Sequence, residues 1–247
     1  MKTELLYGIH PVLEALAAGR RRVYEVYLNK DKKSSHLSQI KSIADSRGVF
    51  KTNIGSGNLK ALADTIGHQG AVAAVSPYPL ASVQDILHTD RDKDAKNFVL
   101  MLDNIQDPQN LGAIIRTALC VGIDGVIVPK DRSASPTPAV SKASAGALEH
   151  IHLVRVTNLV QTIKHCKSRG LWVMGLQQNA TQSIYATDLS GPIAIVLGGE
   201  QKGIRRLVEK NCDFLVSIPQ RGTFNSLNVS AAAAVAMYEV FRQRNRA

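Results

Sequence analysis

The stretch IPQRGTFNSLNVSAAAAVAMY, residues 218–238, joins a short apolar run to a long helix. Pro219 ends the apolar run, since proline cannot donate to a sheet ladder. A polar loop follows, and a helix is predicted to begin near Asn228. Apolar residues then recur at the spacing of one buried helical face: Val229, Ala232, Ala233, Ala236, Met237 and Val240. Because this face is mostly alanine, a neighbouring element can approach it closely.

The residues before this stretch alternate between apolar runs and helical patterns. Six runs are predicted as buried strands, at 98–102, 125–128, 151–154, 171–174, 193–197 and 214–218. Helical patterns lie between most of them, at 111–121, 138–147, 158–167 and 203–210. Strands that alternate with helices indicate a mostly parallel sheet covered on both faces. We therefore predict an α/β domain over residues 96–247.

The first part of the chain predicts a smaller α/β domain over residues 1–75. Helices are expected after Pro11, from His36 to Ser46 and near 58–65, with strands at 23–28, 49–52 and 71–75. Residues 76–95 contain Pro77, Pro79 and a run of mixed charges, which indicates a linker.

Composition narrows the class of protein. The net charge is +10, and basic residues are in excess both before residue 80 and after residue 96. Such a balance suits a polyphosphate partner, although a basic surface that binds nothing remains open. No apolar run approaches the length of a membrane span, and the N-terminus lacks the apolar region of a secretory signal. The three cysteines form neither a disulfide framework nor a metal pair, so a cytoplasmic protein is expected.

Three loops follow predicted strand ends, where parallel α/β sheets gather their ligands. The first, residues 103–112, leads into a helix that Asn110 is expected to cap, with Arg116 about two turns in. The second is residues 197–203 and the third is the loop of the opening stretch. Ile204-Arg205 stand where a nucleotide P-loop requires Lys-Ser/Thr, which excludes that kind of site. Simple helix capping by Asn110, Ser226 or Asn228 stays open, since Asn and Ser are common caps.

Together the three loops resemble the SpoU branch of the SPOUT RNA methyltransferases. The shared patterns are Asp-Pro-x-Asn-x-Gly-x-x-x-Arg at 107–116, Leu-Gly-Gly-Glu-x-x-Gly at 197–203 and Ser-Leu-Asn-Val-Ser at 226–230. The N-terminal residues 7–10 and 68–70 resemble the family's substrate-binding domain. Residues 128–134 resemble the bacterial subgroup that methylates a guanosine 2′-hydroxyl of 23S ribosomal RNA.

The resemblance implies a SPOUT domain with a deep trefoil knot, an L30e-like N-terminal RNA-binding domain, S-adenosylmethionine as cofactor and a homodimer. Implied catalytic residues are Asn110, Arg116, Glu200, Ser226 and Asn228. Implied cofactor-binding residues are Gly198, Ile218, Leu227 and Asn228, and expected RNA contacts are Tyr7, His10, Arg116 and Arg221.

The implied reaction moves a methyl group from a sulfonium to a ribose hydroxyl, and it needs no metal. His150 and His152 have the spacing of one strand face but lack a third ligand, so no metal site is predicted. The expected partner is 23S ribosomal RNA or a ribosome assembly intermediate. A tRNA 2′-O-methyltransferase of the same superfamily and a non-catalytic RNA-binding or ribosome-assembly protein are the alternatives.

Overall fold

The chain divides into two compact units. The computed structural model describes residues 3–87, 96–199, 203–221 and 226–245. Unit 1 consists of Met1–Pro79 together with Pro136–His150, and unit 2 consists of Leu80–Ser135 together with Ile151–Ala247. Residues 136–150 therefore belong with the N-terminal elements, whereas the sequence boundaries placed them in the C-terminal domain.

Unit 1 contains a four-stranded mixed sheet in the order β1-β4-β2-β3. Strand β4 pairs antiparallel with both β1 and β2, and β2 pairs parallel with β3. The elements from the N-terminal region are β1 (Glu4–Tyr7), α1 (Ile9–Ala18), β2 (Val23–Asn29), α2 (Ser35–Ser46), β3 (Phe50–Ile54), α3 (Ser56–Ala63) and β4 (Ala71–Val75). All were predicted except β1, whose four residues are too few to show a period in the sequence.

The segment 136–150 adds helix α5 (Pro138–Ala143) and a 3₁₀ turn at Ala147–Glu149 to unit 1. A buried ion pair joins it to the N-terminal elements: Arg21 Nε lies 2.8 Å from Glu149 Oε2. The Ser141 hydroxyl donates to the other Glu149 oxygen at 2.8 Å. Burial raises the pKa of Glu149, and the positive charge of Arg21 opposes that rise. The partners lie 128 positions apart in the chain, so no local pattern could reveal the pair.

Unit 2 contains a six-stranded sheet in the order β10-β8-β9-β5-β6-β7, and every adjacent pair is parallel. This confirms the predicted mostly parallel α/β fold. Its elements are β5 (Phe98–Asp103), α4 (Pro108–Cys120), β6 (Gly125–Pro129), β7 (Leu153–Val156), α6 (Leu159–Ser168), β8 (Trp172–Leu176), β9 (Ile193–Gly198), α7 (Arg206–Glu209), β10 (Phe214–Val216) and α8 (Val229–Arg244).

The sheet of unit 2 brings the predicted loops together. Strands β9 and β5 are central and almost wholly buried, as expected for runs covered on both faces. Because β10, β8, β9 and β5 are neighbours and parallel, the loops after them leave the same edge of the sheet. Helix α8 packs against α4 and β9. The trefoil knot stays a prediction, because residues 200–202 and 222–225 lie outside the described part of the chain.

None of the described helices is long and apolar enough to cross a membrane.

Candidate functional site at the carboxyl edge of the sheet

A cavity of about 310 Å³ opens at the carboxyl ends of β8, β9 and β10. Its apolar walls come from six side chains: Leu176, Leu197, Ile218, Leu227, Val229 and Ala232. Its polar lining consists of Gln177, Gln178, Asn179, Gln220 and Ser226, together with the backbone of Gly198, Gly199 and Gly203. No ionisable side chain lines the cavity within the described ranges. It therefore offers an apolar surface with hydrogen-bonding amides, the usual make-up of a small-molecule site.

The turn after β9 forms one wall because it folds back tightly on itself. Gly203 N donates to Gly199 O at 2.9 Å, so these two glycines lie side by side. A Cβ atom at Gly198 would lie 1.9 Å from the carbonyl carbon of Gly203 and 2.1 Å from the nitrogen of Ile204. Only glycine permits this backbone contact. A Cβ at Gly199 would lie 2.6 Å from the carbonyl oxygen of Asn104, so the loop after β5 touches the same turn.

A buried charge anchors the end of that turn to β5. Asp103, the last residue of β5, is fully buried and accepts hydrogen bonds from Arg205 N at 2.9 Å and Arg205 Nε at 2.8 Å. Arg205 Nη2 lies 2.7 Å from the same carboxylate. Bonds to a charged group are stronger than neutral ones. The pair was not predicted, although an aspartate that ends a fully apolar strand was a signal that a partner exists.

The entry of α8 forms the opposite wall. Asn228 caps the helix, the alternative left open for it, since its Oδ1 accepts from Ser230 N at 2.8 Å. Asn228 also donates through Nδ2 to Asn110 Oδ1 at 3.1 Å, which links α8 to the first turn of α4. The predicted capping role of Asn110 is wrong. Asp107 caps α4 with Pro108 in the first turn, and its carboxylate accepts from Gln109 N and Asn110 N. The amide of Asn110 is thereby left to meet Asn228.

The predicted catalytic and cofactor-binding residues differ in where they lie. Gly198, Ile218, Leu227 and Ser226 line the cavity, and Asn228 and Asn110 lie beside it. Arg116 is exposed in the second turn beyond Asn110 on α4 and is not part of the lining. Glu200 lies outside the described residues.

The residues predicted to contact RNA lie in different places. Arg221 is exposed just after the cavity-lining Gln220. Tyr7 and His10 belong to unit 1, where Tyr7 ends β1 and His10 is exposed in the first turn of α1.

The loop after β8 is the part of the site that the sequence analysis missed. Gln177, Gln178 and Asn179 line the cavity, and a Cβ at Gly203 would lie 3.2 Å from Gln177 Oε1. The signal was present, because these polar residues directly follow an apolar strand, as the other three loops do.

No group of three or more His, Cys, Asp or Glu side chains in the described part of the chain is arranged to hold a metal ion. His150 and His152 precede β7 rather than share a strand, which corrects the predicted spacing, and His150 Nε2 contacts Glu14 at 2.7 Å.

Two sections of the sequence match known protein families. Residues 97–238 match the SpoU rRNA Methylase family, and residues 5–81 match the family of RNA 2′-O ribose methyltransferase substrate-binding domains. The chain belongs to the SpoU methylase family. It is accordingly an RNA methyltransferase of the SpoU/TrmH type, with an N-terminal substrate-binding domain.

Relatives of full length carry the same assignment. Proteins assigned to the TrmH family of tRNA/rRNA methyltransferases from Staphylococcus saprophyticus and Bacillus subtilis are each 38% identical to this SpoU member. The alignments cover 99% of this chain and 98% of the first relative, and 98% and 96% for the second. AviRb from Streptomyces viridochromogenes, a SpoU methyltransferase solved with AdoMet, shares the fold with a TM-score of 0.82 and 23% identity. That match covers 97% of this chain and 89% of AviRb.

Proposed function

We propose that this SpoU-family enzyme transfers a methyl group from S-adenosylmethionine to the ribose 2′-hydroxyl of a guanosine in 23S ribosomal RNA. The observation that carries the proposal is the cavity at the carboxyl edge of the sheet. Three of the residues predicted to hold the cofactor, Gly198, Ile218 and Leu227, line it together with Ser226. A ribosome assembly intermediate is included in the proposed substrate.

The lining of the cavity fits the methyl donor. Its amide side chains and glycine backbone can hydrogen-bond a purine and an amino acid moiety, and its leucines, isoleucine and valine can cover the rest. Bound S-adenosylmethionine supplies an electrophilic methyl group on a positively charged sulfur. A lining without carboxylates, as in the described residues, does not stabilise that charge in the ground state. The side chains then contribute chiefly by holding two reactants in line.

Arg116 is proposed to position the RNA. An arginine is effectively always charged, so it is a poor proton acceptor. Its exposed guanidinium is suited to clamp a phosphate beside the reacting ribose and to stabilise the developing alkoxide. The hydroxyl proton would pass to a phosphate oxygen or to water. Asn110 and Asn228, bonded to each other at 3.1 Å, would shape the pocket beside the ribose, and Glu200 would orient Arg116 or the ribose.

We further propose a homodimer that holds RNA through unit 1, with Tyr7 and His10 as contacts and Arg221 as a phosphate contact. Large apolar side chains on neighbouring helices support the dimer: Tyr238 and Phe241 on α8 are 50% and 38% exposed, and Leu119 on α4 is 39% exposed. The two aromatic rings pack at 6.0 Å in an edge-to-face arrangement. The cytoplasmic location stays a prediction.

Transfer of tritiated methyl groups tests the proposal. The purified protein is incubated with labelled S-adenosylmethionine and either 23S ribosomal RNA or tRNA, and the modified nucleotide is mapped. We expect label at one guanosine 2′-hydroxyl of the ribosomal RNA. Label in tRNA alone would favour the tRNA alternative, which the names of the relatives leave open. Absence of transfer to any RNA would favour a non-catalytic RNA-binding protein.

Variants of Arg116 test its role. Arg116→Ala is expected to lower turnover by about 100-fold or more, in the range seen when one stabilising donor is removed. Arg116→Lys keeps the charge but not the planar fork, and near-normal turnover by this variant would exclude bidentate positioning. Arg169→Ala, at the exposed end of α6, is the matched control and should be fully active.

A further inference from the structure

Five basic side chains of unit 1 surround the turn that connects β1 to α1. They come from separate parts of the chain: His10 on α1, Lys32 in the loop before α2, His36 on α2, His68 in a 3₁₀ turn and Lys142 on α5. We refer to them as the basic cluster. Of these five, only His10 was named as an expected RNA contact, although residues 68–70 resemble the family's substrate-binding domain. Lys142 comes from the segment that the sequence boundaries assigned to the other domain.

Hydrogen bonds and close approaches around Gln69 define the cluster. Lys32 Nζ donates to the carbonyl oxygen of Gln69 at 3.1 Å, and the side-chain oxygen of Gln69 accepts from Ile9 N at 3.3 Å. A Cβ atom at Gly8 would lie 2.6 Å from Lys142 Nζ and 3.3 Å from the same Gln69 oxygen. The ammonium group of Lys32 therefore contacts Gln69 directly. The ammonium group of Lys142 lies in the space that a side chain at Gly8 would occupy, next to the side chain of Gln69.

The histidines extend the cluster. His68 Nδ1 accepts from Gly70 N at 3.0 Å, so a neutral His68 carries its proton on Nε2 and can donate from there. The rings of His10 and His36 meet edge to face with their centroids 5.8 Å apart. Both of these histidines are exposed, so their side chains can rotate to contact a bound ligand.

The two ammonium groups of the basic cluster lack acidic partners among the described residues. Burial lowers the pKa of Lys142. Burial, followed by the charges of Lys32 and Lys142, lowers the pKa of His68. In the described ranges no carboxylate forms an ion pair or hydrogen bond with the ammonium group of Lys32 or Lys142. Like charges held together in this way repel one another, and a bound anion would relieve the repulsion.

We propose that the basic cluster binds a backbone phosphate of the RNA substrate and so fixes the RNA on unit 1. Two ammonium groups near Gln69, beside the imidazole of His68, are suited to the several acceptor oxygens of a phosphate. Backbone phosphates position an RNA without reading its sequence. The identity of the ligand as RNA rests on the proposed function. The arrangement of the basic side chains rests on the hydrogen bonds and distances around Gln69 and Gly8.

Binding of a 23S ribosomal RNA fragment to the full chain at several salt concentrations tests the proposal. The double variant Lys32→Gln with Lys142→Gln is expected to bind about tenfold more weakly. The slope of log affinity against log salt should become shallower by about 1, the effect of one lost phosphate contact. Its melting temperature should be unchanged or higher, because the substitutions relieve repulsion, whereas a purely structural role would lower it.

Lys41→Gln combined with Lys60→Gln provides the matched control, since it removes the same two charges from exposed positions on α2 and α3. It should change the affinity by less than twofold. The proposal is overturned if the double variant keeps the affinity and salt slope of this control. It is also overturned if polyglutamate, the probe for an acidic protein partner, binds the wild type as tightly as RNA and loses affinity in the double variant.

Failure of this proposal is distinguishable from failure of the proposed function. If the wild type methylates ribosomal RNA while the double variant binds RNA normally, the cluster is not the phosphate site and the function stands. If the wild type methylates no RNA but the double variant loses RNA affinity and salt slope, the phosphate site stands and the catalytic assignment fails.

Discussion

Single residues set the shape of the proposed cofactor cavity. At Gly198 a Cβ atom would lie 1.9 Å from the carbonyl carbon of Gly203 and 2.1 Å from the nitrogen of Ile204. The side-chain amide of Asn228 caps α8 and also donates a hydrogen bond to Asn110 on α4. The glycine was predicted as a cofactor contact by resemblance, but its physical requirement is the close approach of two backbone segments. A residue of this kind tolerates no added atom, since backbone cannot move aside as a side chain can.

Gly198→Ala is expected to prevent tight binding of S-adenosylmethionine and to destabilise the protein by about 1–3 kcal/mol, the usual cost of overpacking. The new Cβ would have to displace the backbone of Gly203 and Ile204. Isothermal titration with the cofactor measures the first effect and thermal unfolding the second. Gly191→Ala is the control, because nothing lies within 4 Å of its added Cβ. Equal cofactor affinity in the two variants would contradict the prediction.

The three cysteines should differ in reactivity. Burial raises the pKa of Cys166 to about 11 and is the largest cause of the rise for Cys212 to about 12, whereas Cys120 is exposed. The thiolate is the reactive form. Iodoacetamide at pH 8 should therefore modify Cys120 alone in the folded protein and all three in urea, as read by mass spectrometry. Rapid modification of Cys212 without denaturant would show that its surroundings are open.

At the scale of elements, the segment 136–150 depends on contacts with α1 and on the buried Arg21–Glu149 pair. Gly146, with φ 88°, brings this segment against α1: an added Cβ would lie 2.9 Å from the carbonyl oxygen of His10 and 2.8 Å from Glu14 Cβ. Two separate costs follow from any side chain there, since L-residues rarely adopt this φ and the space is already filled.

Gly146→Ala should destabilise unit 1 by about 3 kcal/mol, combining a backbone cost of about 1 kcal/mol with overpacking. Gly48→Ala separates the two costs. Gly48 has φ 65° but nothing within 4 Å of an added Cβ, so only the backbone cost of about 1 kcal/mol applies. Denaturant unfolding of both variants measures the difference. If both lose the same stability, close packing at Gly146 contributes nothing.

On the scale of the whole molecule, the charge of +10 and the apolar residues on α4 and α8 fit two kinds of association. The charge suits RNA, whose binding should weaken as salt rises. Tyr238 and Phe241 on α8 are large apolar side chains that are partly exposed, and burial of such side chains is the main favourable term in most protein association.

Tyr238→Ser combined with Phe241→Ser should convert the proposed dimer to a monomer in size-exclusion chromatography with light scattering. Both side chains are partly exposed, so the fold should be retained. Leu207→Ser removes an apolar side chain with 70% exposure from α7, which packs against α6, and should leave the dimer intact. A double variant that remains dimeric would place the interface elsewhere.

The sequence alone predicted every strand of the sheet in unit 2 and its helices α4, α6, α7 and α8. Strands buried on both faces read as continuous apolar runs, and amphipathic helices show a period of 3.6 residues. It also indicated the family, two of the loops that line the cavity and the neighbouring loop after β5, since their motifs are contiguous. The capping of α4 was assigned to Asn110 rather than Asp107, because several polar residues there are acceptable caps and only the backbone path decides between them.

Tertiary structure alone decided which distant residues meet. It added Gln177 and Asn179 to the cavity, paired Asp103 with Arg205, and joined residues 136–150 to unit 1. Periodicity and capping are local properties of neighbouring residues. Contacts across a hundred positions depend on the order in which strands pair, and no local pattern in one sequence contains that order.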